Sequence, residues 1–252
     1  MVLTMAEIYG GLFAVACVAG GIDAIAGGGG LLTVPALMSV GLDPAVVLAT
    51  NKMQGFFGLF SATLHFWREG RIRWRDHIVP MSMAFFASAL GASLLVLAEP
   101  HFIKKMVPFL LIAIAVLIML NPRLGHVQQR AKMSARLCGL TLVPLVGAYD
   151  GFFGPGGGTF YAFGLVSLLG VTLQEATFRA KLYNLASNLG GLSCFLIAGH
   201  IAWDCAIVMI AGTVIGSQIG ARLVVGRGVF LIKPMLVIMS LAMSVKLLWA
   251  SV

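Results

Sequence analysis

Apolar residues run along this chain in long blocks, broken by short glycine-rich or basic stretches. In the first half the blocks cover roughly 6–26, 30–41, 44–67, 77–98 and 103–121, and in the second roughly 136–153, 158–169, 173–198, 205–225 and 229–250. Blocks of about 20 apolar residues predict membrane-spanning helices. The second block of each half is different. At about 12 residues and 1.5 Å per residue it is too short for a hydrocarbon core near 30 Å. Each first-and-second pair is therefore predicted to form a glycine-broken or re-entrant hairpin that dips toward the midplane and returns, followed by three transmembrane helices.

The two halves are copies of one another. Shifted by 127, Asp23 falls on Asp150, Gly27 on Gly154, Gly29 on Gly156 and Gly30 on Gly157. After a two-residue insertion the shift is 129, and Gly41, Lys52, Phe66, Gly70, Ile72 and Trp74 meet Gly170, Lys181, Phe195, Gly199, Ile201 and Trp203. Ser88, Gly91 and Ala92 continue the register with Ser217, Gly220 and Ala221. The expected organisation is a first repeat over 1–122, a basic linker over 123–134 and a second repeat over 135–252.

Composition makes the membrane assignment firm. Of the 252 residues, 60% are hydrophobic and only 10% charged, with a mean hydropathy of +0.99. Soluble domains carry about 25% charged residues, so a soluble enzyme, a nucleic-acid binder and a secreted module are excluded. The expectation is an all-α polytopic protein with 8 to 10 membrane segments. The net charge of +8 reads as topogenic charge on cytoplasmic loops. Cys17, Cys138, Cys194 and Cys205 have no metal-ligand spacing and are expected to be reduced packing residues. Met1 to Gly10 lacks the basic region and cleavage site of a signal peptide, so it opens the first membrane segment.

Loop charges give an orientation. Arg68, Arg71, Arg73 and Arg75 crowd the loop after the third block of copy one, which is expected to be cytoplasmic. The matching loop, Gly199 to Asp204, has neither Lys nor Arg. Opposite bias at equivalent loops predicts copies inverted with respect to each other, with the linker inside and both termini outside. Lys104 and Lys105 run against this scheme.

Three features could carry chemistry. The first is the pair of glycine tracts, Gly27–Gly30 and Gly154–Gly158. Opened backbone at membrane depth is tolerated only inside protein or along a cavity, and a helix starting there points N–H groups and a positive dipole end at an anion. Gly28, Gly29, Gly30, Gly156, Gly157 and Gly158 are the candidate contacts, although small residues also serve close helix packing. The second is Lys52 and Lys181, each about 10 Å deep in an apolar helix by helical rise. An intramembrane cation faces a partner or a wet cavity. Thr177, Lys181, Asn184 and Asn188 form one stripe; Thr50, Asn51 and Gln54 accompany Lys52. The third is Asp23 and Asp150, each four residues before its glycine tract, near a helix C-terminus that disfavours an anion. Each either pairs with a lysine and holds the hairpin or takes up a proton and couples transport to it. Asp43 and Glu175 are expected to be interfacial caps, and Arg179 a headgroup or ion-pair anchor.

In these residues the chain resembles the TauE/SafE family, also called TSUP, of sulfite exporters and sulfonate permeases. The resemblance rests on GGIDAIAGGGGLLTVPAL, GLDPAVVLATNK and GRIRW in the first copy, and on GAYDGFFGPGGGTFYAFG, ATFRAKLYNLASNLGG and GHIAW in the second. It implies a transporter of small sulfur-containing anions, such as sulfite, thiosulfate or an organosulfonate like sulfoacetate, moved outward across the bacterial inner membrane. Phe-Arg-Ala-Lys in copy two replaces Ala-Thr-Asn-Lys in copy one, so a strictly symmetric site is not expected. No enzymatic activity, cofactor, metal or nucleic acid is expected. The expected partners are the anion, the bilayer and, left open, a second copy of the chain. Transport of another small anion or a cation, or a scaffold role without transport, stay as alternatives.

Overall fold

The computed structural model describes residues 4–99, 101–103, 106–107, 109–110 and 131–227. The fifth block of copy two lies wholly outside these residues, and that of copy one, with Lys104 and Lys105, mostly so. The same holds for Arg123 and Arg130 of the linker.

Nine α-helices are defined among the described residues. In the first half they are α1 (Met5–Ala26), α2 (Gly30–Ser39), α3 (Pro44–Arg68) and, after a 3-10 turn at Trp74–His77, α4 (Ile78–Leu97). In the second they are α5 (Ala135–Leu140), α6 (Leu142–Phe152), α7 (Gly157–Leu169), α8 (Leu173–Ala198) and α9 (Trp203–Arg227). Local chemistry sets many of these ends. Thr4 and Glu7 form a capping box on α1, Pro44 opens α3, and Ser134 and Thr172 cap α5 and α8 through their hydroxyls.

Two details differ from the blocks read along the chain. The expected single segment over 136–153 is broken at Thr141. Pro144 has no N–H to give the Leu140 carbonyl, and its ring crowds that oxygen. α1, in contrast, is one uninterrupted helix of 22 residues, about 33 Å by helical rise and so long enough for a full crossing.

Met5–Ala26, Trp74–Leu97 and Trp203–Val225 are long and apolar enough to cross a bilayer. The outer surface suits lipid, with Leu94, Leu97, Ile197 and Ile207 exposed, while Lys52, Asn51, Asp150, Lys181, Asn184 and Asn188 are buried. A protein with an apolar exterior and a polar centre of this kind is a helical membrane protein.

The helices of the two halves interlock. α1 packs on α9 and α6 on α4, while α3 also rests on α9 and α8 on α4. Close approach depends on glycines. A methyl on Gly20 would strike the Thr213 backbone and one on Gly147 the Ala84 backbone. Likewise Gly220 abuts the Gly21 carbonyl and Gly91 that of Ala148. Positions 20 and 147, and 21 and 148, differ by 127, whereas 84 and 213, and 91 and 220, differ by 129. The close contacts thus follow the sequence correspondence. Small residues at such seams are the usual means of packing helices in lipid.

Candidate functional site

The chain opens at both glycine tracts, and the two openings meet. α1 ends at Gly27, whose φ of +85° is left-handed; α7 begins after Gly156, with φ +83°. Only glycine adopts such angles without strain. The Thr159 N–H donates to the Gly27 carbonyl (3.1 Å) and its hydroxyl to the Ala26 carbonyl (2.9 Å). The first turn of α7 therefore caps the C-terminus of α1, satisfying carbonyls that helix geometry leaves open. On the other tract, the Gly29 N–H donates to Asp23 Oδ1 (3.1 Å). Some of the anion-attracting donors expected at the tracts are thus already committed to protein.

The carboxylates and lysines pair across the halves. Lys52 Nζ on α3 lies 3.2 Å from Asp150 Oδ2 on α6. Lys181 Nζ on α8 lies 3.9 Å from Asp23 Oδ2 on α1 and donates to the Asp23 carbonyl. The environments then diverge. Asp150 also accepts from the Ser187 hydroxyl (2.6 Å) and Asn188 Nδ2 (3.2 Å). Asp23 is the more accessible acid, its side chain 19% exposed against 2% for Asp150. Beyond the Asp150 carboxylate, the Lys52 ammonium has no further acceptor among the described residues. A buried ammonium in that condition is costly.

A cavity of about 40 Å³ lies beside Lys52. Its walls include Asp23, Gly29, Gly30, Asn51, Lys52 and Gln54 from one half and Asp150, Gly156, Gly157, Gly158, Asn184 and Asn188 from the other. At about 10–15 Å³ of such space per water, it has room for a few waters. Two amides aim donors there. Asn51 Oδ1 accepts from the Thr33 hydroxyl (2.5 Å) and Gln54 Nε2 (3.0 Å), and Gln54 Oε1 in turn accepts from the Thr213 hydroxyl. Asn184 Oδ1 accepts from Asn188 Nδ2 (3.1 Å). With their oxygens engaged, both amide nitrogens turn to the glycines. Asn51 Nδ2 stands 3.3 Å from where a Gly30 Cβ would be, and Asn184 Nδ2 2.9 Å from that of Gly158.

Four expected site residues are not on the cavity wall. Lys181 is spent on Asp23. The Thr177 hydroxyl turns back to the Leu173 carbonyl (2.8 Å), and Thr50 Oγ1 accepts from the Ala202 N–H (3.0 Å). Gly28 closes the turn into α2 by accepting from the Leu31 N–H. Arg179 pairs with Glu175 one helical turn away. Ser187, Thr33 and Thr213 belong to the polar network without having been singled out in the sequence. Ser187 had a signal, standing three residues after Asn184 on the same stripe; Thr33 and Thr213 are isolated hydroxyls in apolar runs.

The family described as Sulfite exporter TauE/SafE matches residues 12–247. A probable membrane transporter protein of Haemophilus influenzae is 43% identical over 238 residues, covering 94% of this chain and 93% of the relative. The probable membrane transporter protein YfcA of Escherichia coli strain K12 is 44% identical over 244 residues, covering 97% and 91%. A further probable membrane transporter protein, ORF9 of a Sinorhizobium species, is 42% identical over 237 residues, covering 94% and 91%. No solved structure matches the chain.

Proposed function

The chain belongs to the TauE/SafE family of multi-pass membrane transporters, and on that premise we propose that it exports a small sulfur-containing anion through the cavity beside Lys52. Sulfite, thiosulfate and organosulfonates such as sulfoacetate are the candidate substrates, carried outward across the bacterial inner membrane. The transport unit is two inverted repeats, 1–122 and 135–252, joined at 123–134, with the site between them.

One observation carries the choice of an anion. Lys52 Nζ, Asn51 Nδ2 and Asn184 Nδ2 converge on a single buried cavity as donors, while the acceptor oxygens of both amides are engaged elsewhere. A tetrahedral or pyramidal oxyanion, which only accepts, matches those three donors, while the Asp23 and Asp150 carboxylates on the same wall are offset by Lys181 and Lys52. The ammonium supplies the countercharge that about half a unit charge at a helix N-terminus cannot. The carboxylate of Asp150 shares that ammonium, so substrate and Asp150 compete for one cation. The cavity is small, so loading requires the glycine tracts to part. Their sparse side chains leave backbone as the moving surface.

The test is flux of labelled sulfite, thiosulfate and sulfoacetate into and out of liposomes carrying the purified protein. Lys52→Met and Asn184→Leu are each expected to reduce flux of the transported anion by tenfold or more, since a hydrogen bond to a charged group contributes about 1.5–3 kcal/mol. Wild-type flux in folded Lys52→Met would remove the cavity from the pathway.

A further inference from the structure

A second cavity, of about 380 Å³, lies between α4, α5, α7 and α8. That volume falls within the roughly 300–1,000 Å³ of small-molecule sites. Its lining combines two chemistries. Leu140, Val143, Leu165 and Leu169 are apolar. Arg136, Arg179, His77, Tyr183 and Asp76 are polar or charged. A neighbouring cavity of about 220 Å³ shares Asp76, His77 and Arg179 and adds Arg71, Arg73 and Glu175. Four arginines against two carboxylates leave this end positive. Arg179 is engaged by Glu175, and His77 Nδ1 lies 2.9 Å from the Tyr183 hydroxyl. Arg136 has no ion-pair or hydrogen-bond partner among the described residues.

Exposure adds a third observation. Val79 and Leu140 of the lining are 61% and 44% exposed, so the cavity borders the apolar outer surface. A small inorganic anion makes no use of four aliphatic walls, and a purely apolar ligand makes no use of two arginines. An amphipathic anion uses both. On the side marked by the arginine-rich loop, the membrane itself supplies such a molecule, because basic pockets between transmembrane helices on the cytoplasmic side take anionic headgroups.

We propose that this cavity binds one anionic phospholipid, with its phosphate against Arg136 and Arg179 and the start of an acyl chain along Leu140, Val143, Leu165 and Leu169. Two elements then share one ligand: α8, which also carries Asn184 and Asn188 of the central cavity, and α5, held to α6 only across the Thr141 break. The lipid braces the broken segment against α8. This site stands whether or not the central cavity carries sulfur anions.

The experiment is native mass spectrometry of the protein equilibrated with equal amounts of phosphatidylglycerol and phosphatidylcholine of matched chains. One phosphatidylglycerol is expected to be retained in clear preference to phosphatidylcholine. Arg136→Ala, at an exposed position that folding does not depend on, is expected to reduce that preference about fivefold, as for one basic residue at an anionic surface. Leu169→Trp, which adds bulk to the apolar lining, is expected to lower retention of both lipids. Equal retention of the two lipids by the wild type, an unchanged preference in the double variant Arg136→Ala/Arg179→Ala, or displacement of phosphatidylglycerol by millimolar inorganic phosphate would each overturn the proposal. The last outcome would mark a site for a soluble oxyanion.

Discussion

Lys52 and Lys181 hold matching positions in the two halves but are used differently. Lys181 is enclosed by the carbonyl and carboxylate of Asp23, so its loss leaves the half-buried Asp23 carboxylate without its cation. Removing one partner of a fully buried pair costs about 3–5 kcal/mol, and less where, as at Asp23, the remaining charge still reaches solvent. Lys181→Met is therefore expected to lower thermal stability, and adding Asp23→Asn to recover part of it, both read by thermal unfolding in detergent. Recovery of nothing would mean that Lys181 acts elsewhere. Lys52 shares Asp150 with whatever enters the cavity, and two negative groups against one ammonium favour loading when Asp150 carries a proton. Asp150→Asn is expected to keep anion flux but remove its response to an imposed pH gradient, with Asp23→Asn keeping that response. Flux measured under opposite pH gradients decides between the two. A gradient response intact in Asp150→Asn would leave that carboxylate a structural partner of Lys52 alone.

At the scale of elements, the glycine tracts are packed closely against protein. A Cβ on Gly157 would stand 2.7 Å from Asp150 Oδ1, and one on Gly29 2.7 Å from the Ala19 carbonyl. Leucine at either place is thus expected to damage folding together with flux, so these variants cannot isolate the cavity. Gly55 can. It lines the cavity from the middle of α3, and the nearest atom to an added Cβ is Asn188 Oδ1 at 3.6 Å, an ordinary contact. Gly55→Ala is expected to narrow the cavity and lower flux while leaving thermal stability near wild type, since the added Cβ meets only an ordinary contact and replacing helical glycine offsets up to about 1 kcal/mol. Full flux in that variant would place the pathway elsewhere. Most helix bounds were legible because hydrophobic blocks, Pro44, Thr172 and the glycines each mark them locally. The break at Thr141 was legible in Pro144 but hidden by the unbroken apolar run around it. The residue types of the site were equally plain, since charge inside an apolar block has few uses. Their pairing was not: nothing local says that Lys52 reaches Asp150 in the other half, because that contact depends on how α3 and α6 cross.

The whole molecule poses the question of inversion. Close contacts recur at positions related by the sequence shifts, with Gly20 against Thr213 answered by Gly147 against Ala84. In such an exchange each half completes the other, and the Lys52–Asp150 and Lys181–Asp23 pairs join the same two halves at the centre. Recurrence of contacts fixes which helices meet, but not the direction in which each half threads the membrane. Direction rests on the loops. The one after α3 carries Arg68, Arg71 and Arg73, and the one after α8 carries no Lys or Arg. An excess of basic residues in short loops keeps them cytoplasmic. If the halves run in opposite senses, a residue after α3 and its counterpart after α8 face opposite sides, as alternating access about a central site requires. Single cysteines at the exposed Glu69 and Asp204, in a background with Cys17, Cys138, Cys194 and Cys205 replaced, provide the readout. A membrane-impermeant maleimide applied to intact cells is expected to label Asp204→Cys and to reach Glu69→Cys only after permeabilisation. Labelling of both from the same side would make the two halves parallel, and the carrier would then need a mechanism other than exchange between mirror-related states.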